Sequence, residues 1–163
     1  MLSCILAAVT GVILLVADQL TKYIVVHSLP LGASADLIPG VIGFWHIHNK
    51  GGAWGFLEGY TWILLSVTII VMIICVTMIL KRGVKNRLLF WAITLVLSGG
   101  LGNLIDRIFN AGEVVDFLHL EFIDFPVFNV ADCSIVIGAA LLVVYFIVDL
   151  IKERKTNNSN AAN

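Results

Sequence analysis

The hydrophobic pattern divides the chain into four long apolar runs separated by polar segments. They are MLSCILAAVTGVILLVA (1–17), continued amphipathically by DQLTKYIVV, then TWILLSVTIIVMIICVTMIL (61–80), LLFWAITLVLSGGLGNLI (88–105) and CSIVIGAALLVVYFIV (133–148). A helix needs about 20 apolar residues to cross a hydrocarbon core of about 30 Å, with tolerance down to about 17. The second and third runs, which carry no charge, meet this outright; the first and fourth meet it with a few flanking polar residues. Helices are the expected form, because an isolated strand in lipid leaves backbone groups unpaired. The pattern therefore predicts a membrane all-α protein with four transmembrane helices, spanning about 4–25, 61–80, 88–106 and 131–151, and small extracytoplasmic β or loop elements. One unit covers 1–151, and the polar tail KERKTNNSNAAN (152–163) is expected to be disordered.

The connection 27–60 holds Pro30, Pro39 and several glycines, and VIGFWHIH alternates in character. Short strands at the membrane surface are expected there. Trp45, Trp54, Tyr60 and Trp62 read as interfacial anchors.

Composition agrees with the pattern. The chain is 60% hydrophobic and 13% charged, where a soluble domain has about 45–50% and about 25%. The first run lacks a basic leader and a small-x-small site followed by a soluble domain, so it reads as a retained helix. Seven of the ten Lys and Arg residues (Lys81, Arg82, Lys85, Arg87, Lys152, Arg154, Lys155) lie between runs two and three or after run four. By the positive-inside rule those segments, and both termini, are cytoplasmic. The connections 27–60 and 106–129 then face outward. A net charge of −1 gives no nucleic-acid signal. Cys4, Cys75 and Cys133 form no CxxC, so neither a disulfide framework nor a zinc site is expected.

This topology gathers acids at one membrane boundary. Asp18 lies late in run one, Asp106 ends run three, Asp132 opens run four, and Asp116 lies between the last two. Ionisable groups at such depth have a partner or a function. Asp18 and Lys22 are spaced i,i+4 and can pair. Asp106 is followed by Arg107, with Asn103 one turn earlier, so both acids are expected in a structural network. Gly99, Gly100 and Gly102 form a small-residue surface for close helix packing.

Asp116 and Asp132 have no basic residue within four positions. An apolar setting and a second carboxylate both raise a carboxyl pKa. Two such acids held close share a proton, one taking a proton from water while the other donates to a carbonyl oxygen, as in aspartic peptidases. Two isolated acids capping helix ends would read the same way in sequence.

The ordered set DQLTK (18–22), NKGGAWG (49–55), GGLGNLIDR (99–107), GEVVDF (112–117) and FNVADCSI (128–135) resembles the lipoprotein signal peptidase family, also called signal peptidase II, over nearly the whole chain. The resemblance implies an endopeptidase of the bacterial cytoplasmic membrane, acting near its outer face. It would remove signal peptides from prolipoproteins just before the diacylglyceryl-cysteine. It makes Asp116 and Asp132 the catalytic dyad, and Asp18, Lys22, Asn49, Asn103, Asp106, Arg107, Asn129 and Ala131 supporting or substrate-binding positions. It implies no cofactor and no metal. Its expected partners are diacylglyceryl-modified prolipoproteins and membrane lipid, with no nucleic acid, and the chain is expected to act as a monomer. Asn49, Asn103 and Asn129 would hold substrate backbone, orient the dyad or satisfy local backbone; Arg107 would either support the site or instead neutralise Asp106.

Four rival readings stand against this one. Cys133, beside Asp132, with His119 would make a thiol enzyme, but a small buried residue suits Cys133 better. His46 and His48 point the same way on a strand, yet two metal ligands without a third are thin, and both are expected to be surface histidines. A transport path would need acids at several depths, whereas runs two and three contain none; a purely structural subunit would make both dyad acids dispensable.

Overall fold

The structure, a computed structural model, describes residues 2–82 and 86–161. Lys85, counted above among the basic residues between runs two and three, lies outside the described residues. Four helices and three strands follow in the order α1 (Leu2–Ser28), β1 (Ser34–Ile38), β2 (Ile42–Asn49), α2 (Thr61–Arg82), α3 (Arg87–Phe109), β3 (Val114–Leu120) and α4 (Val130–Ala161). All four helices are long and apolar enough to span a membrane. The chain is thus a four-span membrane protein with a small antiparallel sheet, ordered β1-β2-β3, at one end of the bundle.

Helix α3 is the centre of the bundle. It packs against α1, α2 and α4, and half of its span is buried against 6% of that of α2. Close approach to α4 depends on glycine. A Cβ at Gly99 would overlap the carbonyl oxygen of Ala131, and one at Gly138 would lie 2.9 Å from the carbonyl oxygen of Ala92. A Cβ at Gly102 would lie 2.6 Å from Asp18 Oδ2, whereas one at Gly100 would meet only Met72 and Thr68 at ordinary contact distance. The glycines therefore divide: Gly99 and Gly102 admit α4 and α1, and Gly100 faces α2. Many large apolar side chains of α1, α2 and α4 are exposed on the outside of the bundle, far more than the surface of a water-soluble fold carries.

Local signals set the helix ends nearest the sheet. Helix α3 stops at Asn110, and the chain turns through two left-handed residues, Ala111 (φ 53°) and Gly112 (φ 92°), into β3. Helix α4 begins at a reciprocal cap: Asn129 Oδ1 accepts the Asp132 N–H at 2.9 Å, and Asp132 Oδ2 accepts the Asn129 N–H at 3.1 Å. This satisfies two of the N–H groups that a helix start leaves without partners. The expected strands in 27–60 appear as β1 and β2; β3, which carries Asp116, is an addition to the expectation. At its far end α4 runs to Ala161, past the boundary at 151 and through the stretch expected to be disordered. That stretch has no Pro or Gly to stop a helix already nucleated in the apolar span.

Candidate active site

The β2–β3 register determines which side chains meet. Ile47 lies opposite Asp116 and Asn49 opposite Val114, after an irregularity between Phe44 and Ile47. Side chains alternate along a strand, so Asn49 and Asp116 share a face as diagonal neighbours. The Asn49 amide donates to Asp116 Oδ2 at 2.8 Å, and Asn49 Oδ1 receives the Gly51 N–H at 2.8 Å.

Asp132 arrives from α4. Its Oδ1 accepts from Asn103 Nδ2 at 2.7 Å, and its Oδ2 is the oxygen engaged in the helix cap. Asn129 joins the two acids: the residue that caps α4 with Asp132 also donates from Nδ2 to Asp116 Oδ1 at 2.6 Å. The two readings left open for these carboxylates are therefore not exclusive. Asp132 does cap a helix, and it also lines, with Asp116, a cleft of about 490 Å³. Asn49, Asn103 and Arg107 belong to the polar end of this cleft; Phe125, Val127, Ile135 and Val136 supply its apolar walls. Burial pushes the Asp116 carboxyl up to about 7, and the nearby Asp132 adds to the rise; the amides of Asn49 and Asn129 and the more distant Lys22 oppose it. A value near neutral pH, beside a second carboxyl, suits Asp116 to proton exchange.

Behind this pair lies a buried ionic cluster. Lys22 Nζ sits 2.9 Å from Asp18 Oδ2, 2.9 Å from Asp106 Oδ2 and 3.1 Å from Asn103 Oδ1, so all three ammonium donors are used. Both carboxylates also accept from neutral donors. Asp18 Oδ1 receives the Ala131 N–H at 2.8 Å, Asp106 Oδ2 the Val115 N–H at 3.0 Å, and Asp106 Oδ1 the Gln19 amide at 3.0 Å. These bonds join α1, α3, β3 and the first turn of α4, which is where the two cleft acids are mounted.

The expectation that Arg107 neutralises Asp106 is corrected: Lys22 does so. Adjacent residues on a helix point about 100° apart and do not face each other. Arg107 turns to the cleft, where it donates to the carbonyl oxygens of Gly51 at 3.1 Å and Asn103 at 3.4 Å. Of the other candidates, His119 packs edge-on against Trp45, with ring centroids 5.4 Å apart. Cys133 lines the cleft. The surface reading of His46 is corrected: it is buried, its Nδ1 held on the Leu29 carbonyl at 2.7 Å just past the end of α1. Among the described residues no group of three or more His, Cys, Asp or Glu side chains is placed to hold a metal ion. Gln19, whose amide spans Asp18, Asp106 and the Gly102 carbonyl, was not singled out from the sequence. Its signal was present: a second polar residue directly beside Asp18 in an apolar run.

Comparison with known proteins places this arrangement in a family. The family model for signal peptidase (SPase) II matches residues 10–148. A lipoprotein signal peptidase of Bacillus pumilus is 38% identical over 149 residues, 90% of this chain and 94% of its own. One from Listeria monocytogenes is 39% identical over 141 residues, 85% and 89% of the two chains. One from Enterococcus faecalis is 37% identical over 132 residues, 81% of each. Two solved structures, both described as bacterial membrane enzymes, superpose with TM-scores of 0.83 and 0.77 at 37% identity; they cover 92% and 90% of this chain and 90% and 93% of their own. The matched region takes in every polar side chain of the cleft and of the ionic cluster behind it, and on that ground the chain belongs to the signal peptidase II family.

Proposed function

We propose that this chain is an intramembrane aspartic endopeptidase. It removes the signal peptide from lipid-modified prolipoproteins, cutting just before the diacylglyceryl-cysteine with a water molecule activated between Asp116 and Asp132. The observation that carries this reading is that the two carboxyls line one cleft and are tied to the same residue, Asn129.

In this mechanism one carboxyl is ionised and the other protonated, and the pair titrates as a unit. The carboxylate takes a proton from water, whose oxygen forms a bond to the scissile carbonyl carbon. The protonated partner gives its proton to the carbonyl oxygen. On collapse of the tetrahedral intermediate the C–N bond breaks and the nitrogen takes up a proton, leaving a free amine on the modified cysteine and a new carboxyl end on the signal peptide. Asn49, Asn103 and Asn129 hold the carboxyls through each exchange without adding a charge of their own.

A signal peptide is helical in lipid, and its scissile bond is enclosed in its own hydrogen bonds. It must open into an extended form whose freed groups find partners. The cleft supports this, with a backbone rim at Gly51 and Gly52, aromatic side chains at Phe125 and Phe128, and an apolar α4 wall against which acyl chains would lie. The basic residues at the far ends of α2 and α4 favour cytoplasmic termini and a site at the outer face. The chain would act as a monomer.

The test is a cleavage assay on a diacylglyceryl-modified prolipoprotein with membrane-inserted protein. Asp116→Asn and Asp132→Asn are each expected to lose on the order of 10³-fold or more in rate, while Cys133→Ala retains cleavage. Turnover that survives both aspartate changes overturns the reading, and loss confined to Cys133→Ala would transfer the chemistry to the thiol.

A further inference from the structure

Glu113 lies on the opposite face of the sheet from Asp116. His48 is paired with Val115 and Asn49 with Val114, so Asn49 faces the cleft, while His48, Lys50 and Glu113 share the reverse side. There Glu113 divides its two oxygens. Oε2 lies 3.0 Å from His48 Nδ1, and Oε1 lies 3.6 Å from Lys50 Nζ. One carboxylate thereby holds the residues immediately before and after Asn49, the residue that donates to Asp116. The reach of Glu113 is itself fixed: it follows the left-handed pair Ala111 and Gly112, and its N–H is bonded to the Asn110 carbonyl at 3.0 Å.

We propose that Glu113, acting through His48 and Lys50, is a positioning residue that clamps the end of β2 and keeps the Asn49 amide on the Asp116 carboxylate. The proposal deepens the dyad reading and rests on it. A half-exposed ion pair adds little to global stability, so the effect of this one is local. With the clamp released, the end of β2 is held less firmly and Asp116 loses part of a donor that favours its ionised form, which moves its protonation to higher pH. The charged and titratable groups at the clamp are Lys50, Glu113, His48 and, 5.3 Å away between ring centroids, His46.

The experiment compares the full chain with Glu113→Gln, Glu113→Asp and Asp116→Asn. Cleavage of a diacylglyceryl-modified prolipoprotein is followed as kcat and KM across pH, with thermal midpoints measured in parallel. Glu113→Gln is expected to lower kcat by about threefold to tenfold with KM within about twofold, the scale of one weakened hydrogen bond. It should also move the limb of the pH profile that reports Asp116 to higher pH and leave the thermal midpoint in place, and Glu113→Asp should recover part of both changes. An unchanged kcat and pH profile in Glu113→Gln, with Asp116→Asn inactive, overturns the clamp alone. A lost rate with a lowered midpoint and an unmoved pH profile also overturns it, since that marks a merely structural role. Cleavage by Asp116→Asn removes the dyad reading and the clamp with it.

Discussion

Lys22 decides which way the Asn103 amide points. An ammonium only donates, so Asn103 must present Oδ1 to Lys22, at 3.1 Å, and its amide nitrogen is left to donate to Asp132 Oδ1 at 2.7 Å. A lysine in α1 thus sets the hydrogen bonding of a carboxyl in α4 through one side chain of α3. The buried ionic cluster and the cleft acids form one connected system, and the consequences can be measured at several points.

Removing the ammonium is expected to be costly. Lys22→Met leaves Asp18 and Asp106 buried, 1% and 4% exposed, without their cation. Breaking a buried pair by deleting one partner costs about 3–5 kcal/mol, to be read from thermal unfolding in detergent. Cleavage should fall further than stability alone explains, because Asn103 loses its orienting partner. A variant that melts and cleaves like the parent chain would disconnect the cluster from the cleft.

The elevated pKa of Asp116 gives a pH dependence of definite sign. Its folded value of about 7 lies above the ordinary 3.8. Between these values the native state holds a proton that the unfolded chain has released, so this group's contribution to stability declines as pH rises from about 4 and reaches its minimum above about 7. Asp116→Asn removes the buried charge, and its midpoint should exceed that of the parent chain by more at pH 8 than at pH 5. Midpoint differences that are equal at the two pH values would contradict the elevation.

The two glycine environments on α3 separate cleanly. Gly99→Ala places a methyl group on the Ala131 carbonyl, whereas Gly100→Ala meets only Met72 and Thr68 at van der Waals distance. Overpacking costs about 1–3 kcal/mol. The first substitution is expected to lower the thermal midpoint and, by shifting the start of α4 and with it Asp132, the cleavage rate. The second should leave both near the parent values. Equal effects of the two substitutions would mean that close α3–α4 approach does not set the site.

The sequence by itself determined the four spans. Hydrocarbon demands long apolar segments with internally paired backbones, and that demand is written in run length and composition without reference to any neighbour. It also marked Asp18, Asp106, Asp116 and Asp132 as acids in unusual places, because charge in an apolar run is visible one residue at a time. Only the tertiary structure decided their partners. Asp106 pairs with Lys22 of another helix and not with the adjacent Arg107. Asn129 serves a helix cap and Asp116 together. Glu113 reaches His48 across a strand pair whose register depends on an irregularity in β2. Such contacts follow from how α3 packs and how the sheet registers, and these are relations between distant segments that no local periodicity encodes.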